Sequence, residues 1–194
     1  MKELICQTRT YRKFDPTKKI AKDLIQDLID LGRLGGSARN CQPWQYLIVT
    51  EKELCDQIFP HLGWAGYLTD WKGPDTHEQP VSYILCYLNK NWLSVSLKEA
   101  YFDLGISTQN MLLGATKRGI GGCRIGFFSA KLAEQIVQPD HLELHLVIAL
   151  GIPAEKVVVE PCAEENIKYW RDDEKVHHVP KRALKDILLS TQKQ

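Results

Sequence analysis

Eight consecutive residues, Ser37-Ala38-Arg39-Asn40-Cys41-Gln42-Pro43-Trp44, set a hydroxyl, two amides, a guanidinium and an indole directly ahead of the apolar run Tyr46-Leu47-Ile48-Val49. A polar loop that turns into a buried strand in this way reads as a ligand-binding corner, and Gly35-Gly36 before it lets backbone approach a flat ligand closely. The competing reading is a loop whose Ser and Asn satisfy their own backbone. Upstream, Arg9-Thr10-Tyr11-Arg12 offers two guanidinium groups and a hydroxyl. If Arg9 and Arg12 lie on the first turn of a helix they point the same way and make a donor set for a phosphate; a solvated basic stretch is the plain alternative.

A third segment, Gly119-Ile120-Gly121-Gly122-Cys123-Arg124-Ile125-Gly126, is rich in glycine. It follows a helical pattern and enters a strand, the reverse of the order a pyrophosphate-binding turn needs. Its glycines either let backbone N–H groups face a ring or serve packing. His177-His178 has no second ligand cluster at metal spacing, so the pair reads as solvated and no metal is expected. Cys41 and Cys123 have no His and acidic partner that the sequence can place beside them, and both read as small buried residues rather than nucleophiles.

The elements that must position these residues follow from periodicity. Apolar side chains at Ile20, Leu24, Ile25, Leu28, Ile29 and Leu31 predict an amphipathic helix over 20–34, stopped by Gly35-Gly36. Runs 45–50 and 81–88 predict buried strands. Thr50 and Glu53 have capping-box spacing for a short helix on which Leu54 and Ile58, four apart, would share one face. The stretch from Pro60 to Pro80, with Trp64, Tyr67 and Trp71, predicts a long surface excursion of the kind that serves as a lid. A core helix is expected over 98–118, with Tyr101, Leu104, Met111, Leu112 and Ala115 on its apolar face and Gly119 as its left-handed cap. Strands are expected over 124–128 and 144–150, with a helix begun by Ser129 and ended by Pro139 between them. The basic tail from Pro161 should close with a helix starting near Pro180. Because strand and helix do not alternate regularly, the fold class is α+β, a small mixed sheet wrapped by helices.

At 194 residues the chain fits one domain and should bury roughly 70% of the surface its unfolded form exposes. Lysine plus arginine number 25 against 24 aspartate plus glutamate, a net charge of +1, which gives no global case for nucleic acid or an acidic membrane. The six cysteines are scattered with no Cys-x-x-Cys pair, and no N-terminal apolar stretch precedes a cleavage site, so reduced thiols in a cytoplasm are expected. No apolar run approaches the ~20 residues of a spanning helix.

Taken together, Arg9-Thr10-Tyr11-Arg12-Lys13-Phe14, the 37–44 corner, Asp103-Leu104-Gly105 through Gln109-Asn110-Met111-Leu112-Leu113, and the 119–126 segment resemble the nitroreductase family of flavoproteins, in the same order and at similar spacing. The resemblance implies one nitroreductase-like domain over 1–194 in an intertwined α+β homodimer, with FMN at each of two interface sites. It implies that Arg9, Thr10 and Arg12 contact the phosphate, ribityl and pyrimidine side of the flavin, with Arg12 near N1 and O2. Ser37, Ala38 and Asn40 would come from the partner subunit, residues near Gly126 and Phe127 would face N5 and O4, and Lys181-Arg182 would complete the phosphate site. NAD(P)H would deliver hydride to N5, and a nitroaromatic, quinone or similar acceptor would then take it from the same place, a ping-pong scheme that needs no protein nucleophile or base. The same residues would serve an FMN sensor or store, or a relative with reductive dehalogenation or flavin-breakdown chemistry; the aromatic excursion would decide the substrate. Thr8 stands where many members have a further arginine, Gly36 replaces a common proline, and Arg39 adds a cation that would favour an acidic substrate or raise the flavin potential.

Overall fold

The computed structural model describes residues 1–136, 138–163 and 165–189. In chain order the elements are α1 (Lys2–Gln7), β1 (Phe14–Asp15), α2 (Lys22–Arg33), β2 (Trp44–Val49), α3 (Lys52–Ile58), β3 (Ser82–Asn89), α4 (Leu97–Lys117), β4 (Gly121–Ile125), α5 (Lys131–Gln135), β5 (Leu142–Pro153), β6 (Val157–Pro161), β7 (Trp170–Arg171), β8 (His177–Lys181) and α6 (Leu184–Ile187).

Strand β3 is buried along its whole length and pairs with β2 on one edge and β5 on the other. Its side chains alternate between two cores, as the twofold period of a strand demands. Ile84, Cys86 and Leu88 pack with α2 and α4 residues such as Leu28 and Met111, while Tyr83, Leu85 and Tyr87 pack with Ile58 and Leu132 of α3 and α5. The five-stranded sheet runs β1-β5-β3-β2 with β4 also on β5, all antiparallel. Parallel pairing occurs between β6 and β8 in a separate sheet of order β6-β8-β7, and at the isolated Thr10–Gly122 bridge. The α+β class is therefore as expected, with a second small sheet that the basic tail did not announce.

Several local expectations need correction. No capping box forms at Thr50: Glu51 is the N-cap of α3, and its own carboxylate accepts the Thr50 N–H at 3.1 Å. The buried pair on α3 is Cys55 and Ile58, while Leu54 is exposed. A capping box does form at α4, where Ser96 Oγ accepts the Glu99 N–H and the Glu99 carboxylate accepts the Ser96 N–H at 2.9 Å. On that helix Tyr101 faces outward with Phe102 and Ile106 rather than into the core. Ser129 turns its hydroxyl to His61 instead of capping, and α5 starts at Lys131. Pro180 starts no helix; it lies in β8 beyond the two residues that pair with β7, where a missing N–H costs no bond on that side. Gly119 does close α4 with a left-handed φ of 73°.

Candidate functional site

The arginine segment does not sit on a helix turn. Helix α1 stops at Gln7, the Thr8 hydroxyl donates back to the Leu4 carbonyl at 2.7 Å, and the chain then runs extended, with Thr10 bridging to Gly122. Extended backbone still brings both guanidinium groups to one place, because Arg9, Thr10 and Arg12 line the same cavity of about 270 Å³. Helix α4 adds Gln109 and Leu112, β4 adds Arg124, and the small sheet and its approach add Tyr169, His177, Val179 and Lys181.

Charge in this cavity is one-sided. Arg12 is 9% exposed, yet no carboxylate among the described residues lies within ion-pair distance of its guanidinium. Its contacts are the His177 ring, with Nη1 3.2 Å from Nε2, and the Tyr169 ring at 4.9 Å. A guanidinium can only donate, so His177 Nε2 accepts and the proton sits on Nδ1. Burial first, then the positive charge of Arg12 and Arg171, pushes His177 down to about 4, so the imidazole is neutral near pH 7. Arg9 donates to the Ile5 carbonyl at 2.7 Å and leaves its buried Nε without a partner among the described residues. Among the described residues, the Arg124 guanidinium reaches the Thr108 hydroxyl at 3.4 Å and no carboxylate. A nearly buried cation without a counter-ion is costly, and a bound anion would remove that cost.

Glu155 sets the segment from behind. One carboxylate oxygen accepts the backbone N–H groups of Arg12 and Lys13, and the other pairs with Arg171 at 2.9 Å. The negative charge is thus spent on backbone and on Arg171, leaving the Arg12 guanidinium free to face the cavity.

From the 37–44 corner, Ser37, Cys41, Gln42 and Trp44 line a different cavity, of about 330 Å³, together with Gly36, Tyr46, Trp92, Asp103 and Ser107, whereas Ala38 and Asn40 do not line it. Arg39, Asn40 and Gln42 all have left-handed φ, 49°, 54° and 49°. Part of the self-satisfied reading holds: Ser37 Oγ accepts the Gln42 N–H at 2.9 Å, and Gln42 Nε2 donates to Asn40 Oδ1 at 2.9 Å. The corner is also anchored from α4, since Asp103 accepts the Ser37 hydroxyl at 2.7 Å and the Ala38 N–H at 3.0 Å. Arg39 points outward, with Glu99 at 3.7 Å offsetting its charge. Within one chain the corner and the arginine segment therefore line separate cavities, with α4 contributing to both.

In the glycine-rich segment, packing explains Gly121 and Gly122. A Cβ on Gly121 would stand 2.7 Å from Tyr11 and Pro153, and one on Gly122 would stand 2.5 Å from Leu112. Gly126 is different, with only Leu146 at 3.9 Å, and it and Phe127 lie exposed past the end of β4. Lys181 lines the cationic cavity, whereas Arg182 lies on a neighbouring hollow with Ile167 and Ile187. His177 is 1% exposed, not solvated, and His178 is held between Glu160 at 2.8 Å and Asp172 at 3.2 Å. All six cysteines are free, and burial pushes the Cys123 thiol up to about 11, which removes it as a nucleophile. Sequence reasoning missed the roles of Arg124, Glu155 and Tyr169, the burial of His177 and the anchoring role of Asp103; Asp103 and Arg124 left a signal by standing inside quoted motifs, and Glu155 and Tyr169 left none.

The sequence model of the Nitroreductase family matches residues 5–67, the stretch that carries both the arginine segment and the corner. A protein of Methanothermobacter thermautotrophicus named "Putative NADH dehydrogenase/NAD(P)H nitroreductase" is 26% identical over 79% of this chain and 77% of its own length. Among solved structures, a "putative nitroreductase in complex with fmn" from Desulfovibrio desulfuricans superposes with a TM-score of 0.69 at 20% identity, covering 99% of this chain and 96% of that one. A "Putative NADH dehydrogenase/NAD(P)H nitroreductase" from Parabacteroides distasonis superposes with a TM-score of 0.64 at 23% identity, covering 88% and 96%. The fold is the nitroreductase fold, and the family match bears out the resemblance over the two segments it covers, 9–14 and 37–44.

Proposed function

We propose that this chain is a cytoplasmic FMN-dependent oxidoreductase that takes a hydride from NAD(P)H and passes it to a nitroaromatic, quinone or similar acceptor by a ping-pong scheme. The observation that carries the reading is the nearly buried Arg12 guanidinium, which faces a cavity with Arg9, Arg124 and Lys181 and has no carboxylate partner among the described residues. That donor set fits the phosphate end of FMN, the group named in the Desulfovibrio desulfuricans structure. NAD(P)H is named in the Methanothermobacter relative.

On this reading Arg9, Thr10, Arg12 and Lys181 hold the phosphate and ribityl side, with Arg182 beside them. Gly126 and Phe127 offer exposed backbone to the ring. FMN, when bound, supplies the hydride-carrying centre. The protein's part is to fix its orientation and to place positive charge near the edge that becomes anionic on reduction, the role assigned to Arg12. Ser37, Ala38 and Asn40 line no part of the cationic cavity in their own chain, so on this reading they complete the site from a second copy. Helix α4 suits that assembly: it feeds both cavities and leaves Tyr101, Phe102 and Ile106 exposed. The chain then acts as one nitroreductase-like domain in an intertwined homodimer.

The test is the visible spectrum of the purified protein with FMN added, followed by steady-state NAD(P)H oxidation with a quinone or nitroaromatic acceptor. Flavin absorption that co-purifies and acceptor-dependent turnover are expected. Binding without turnover would make the protein a store or sensor, and no retained flavin would overturn the reading.

A further inference from the structure

Tyr169 and strand β7 behind it touch two parts of the molecule that are remote in sequence. The Tyr169 ring lies 4.9 Å from the Arg12 guanidinium, 5.2 Å from the His177 ring and 4.9 Å from the Tyr67 ring. Its hydroxyl accepts the Tyr67 N–H at 3.3 Å. Arg171, on the same strand, stacks over the Trp71 ring at 4.2 Å and pairs with Glu155 at 2.9 Å. Glu155 in turn accepts the Arg12 and Lys13 N–H groups. Two separate routes thus join the aromatic excursion to the Arg12 segment: Tyr67 through the Tyr169 ring, and Trp71 through Arg171 and Glu155. Tyr67 and Trp71 themselves line no part of the cationic cavity.

We infer that Tyr169 and Arg171 couple the aromatic 60–80 excursion to the cationic cavity, so that an anion held against Arg12 and the docked position of the excursion stabilise each other, with Tyr169 as the positioning residue. The inference rests on the reading of that cavity as the FMN phosphate site. A guanidinium is held flat against an aromatic face by cation–π attraction, so the Tyr169 ring fixes the orientation from which Arg12 can present its donors. Tyr67 also holds that ring, by its own ring at 4.9 Å and by its N–H on the Tyr169 hydroxyl, and undocking it frees Tyr169 to turn away from Arg12. Linkage makes the effect reciprocal: the factor by which docking tightens anion binding is the factor by which anion binding favours docking.

The experiment uses the full chain with FMN as the probe and two readouts: FMN affinity from quenching of flavin fluorescence, and the rate of tryptic cleavage after the exposed Lys72 in the segment. Saturating FMN should slow cleavage at Lys72 in the parent. Tyr67→Ala and Trp71→Ala should each weaken FMN binding by about 5-fold or more, the low end of measured couplings, and reduce the protection in proportion. Tyr169→Leu should do the same, and Tyr169→Phe, which keeps the ring over Arg12, should restore most of the affinity. Parent-like FMN affinity and protection in both Tyr67→Ala and Trp71→Ala would overturn the coupling while leaving the FMN site intact. No FMN binding by the parent would overturn the site and the coupling together.

Discussion

Ser37 and Asp103 meet across 66 positions of sequence, the serine hydroxyl donating to the carboxylate at 2.7 Å. The same carboxylate takes the Ala38 N–H and is only 6% exposed, so two hydrogen bonds to a largely buried acceptor fix the corner to helix α4. Such an anchor is needed because Arg39, Asn40 and Gln42 hold left-handed φ, each at a cost of order 1 kcal/mol for a residue with a side chain. Asp103→Ala should destabilise the protein by about 2–3 kcal/mol, since two hydrogen bonds to a buried charged acceptor are lost. Urea unfolding checks the figure. A change within ±0.5 kcal/mol would mean that the corner holds its shape without α4.

The cationic cavity should distinguish flavins by their phosphate. FMN is expected to bind more tightly than riboflavin, and Arg9→Ala or Lys181→Ala should weaken FMN by roughly tenfold to a hundredfold, the worth of one charge-assisted contact. Riboflavin affinity should stay nearly unchanged in both variants, because the lost partner is the phosphate. Lys185, which does not line the cavity, serves as control. Equal losses for the two flavins would place the phosphate elsewhere.

The exposed strip on α4 makes an assembly prediction. Ile106 is 44% exposed and Phe102 61% exposed on the helix that serves both cavities. A glutamate there would have to be desolvated in a helix-to-helix interface, so Ile106→Glu should convert a dimer into a monomer in sedimentation velocity and abolish FMN retention together with it. A dimer that survives Ile106→Glu would show that a different face pairs the chains.

What was legible in the sequence was set by local period, and what was not was set by distant partners. Leu28 and Met111 announced their helices because each helix has one face toward the same core. Gly119 announced the end of α4 because φ of 73° is a local demand of the cap. The arginine segment was legible as a donor set but not as a conformation: Thr10 is drawn out of helix by its bridge to Gly122, more than a hundred positions on. His177 read as solvated because no second ligand cluster stands at metal spacing from it, yet it is buried against Arg12 and Tyr169, which are remote or non-adjacent in sequence. The small sheet was hidden for the same reason, since His177 and Lys181 flank a strand with no alternation of polar and apolar residues. Glu155 carried no motif of its own, and its role appears only when the N–H groups of Arg12 and Lys13 are brought to it.

The two adjacent histidines should give stability opposite dependences on pH. His177 is pushed down to about 4 from its ordinary 6.5, by burial and then by Arg12 and Arg171. Between those two values the unfolded chain holds a proton that the folded chain does not, so stability falls as the pH drops through this window and is fully regained above it. At 1.36 kcal/mol per pH unit the loss by pH 4.5 is about 3 kcal/mol. His178 is raised by its hydrogen bonds to Glu160 and then Asp172. Its contribution is fully present below pH 6.5 and is lost as the pH rises through the raised value. Unfolding free energies at pH 4.5, 6.0 and 7.5 separate the two. His177→Gln should flatten the decline between pH 7.5 and 4.5 by about 3 kcal/mol, and His178→Gln should steepen it. Parallel profiles for the parent and His177→Gln would mean that the buried imidazole is already protonated beside Arg12, and the cavity would then carry one more positive charge than the geometry assigns to it.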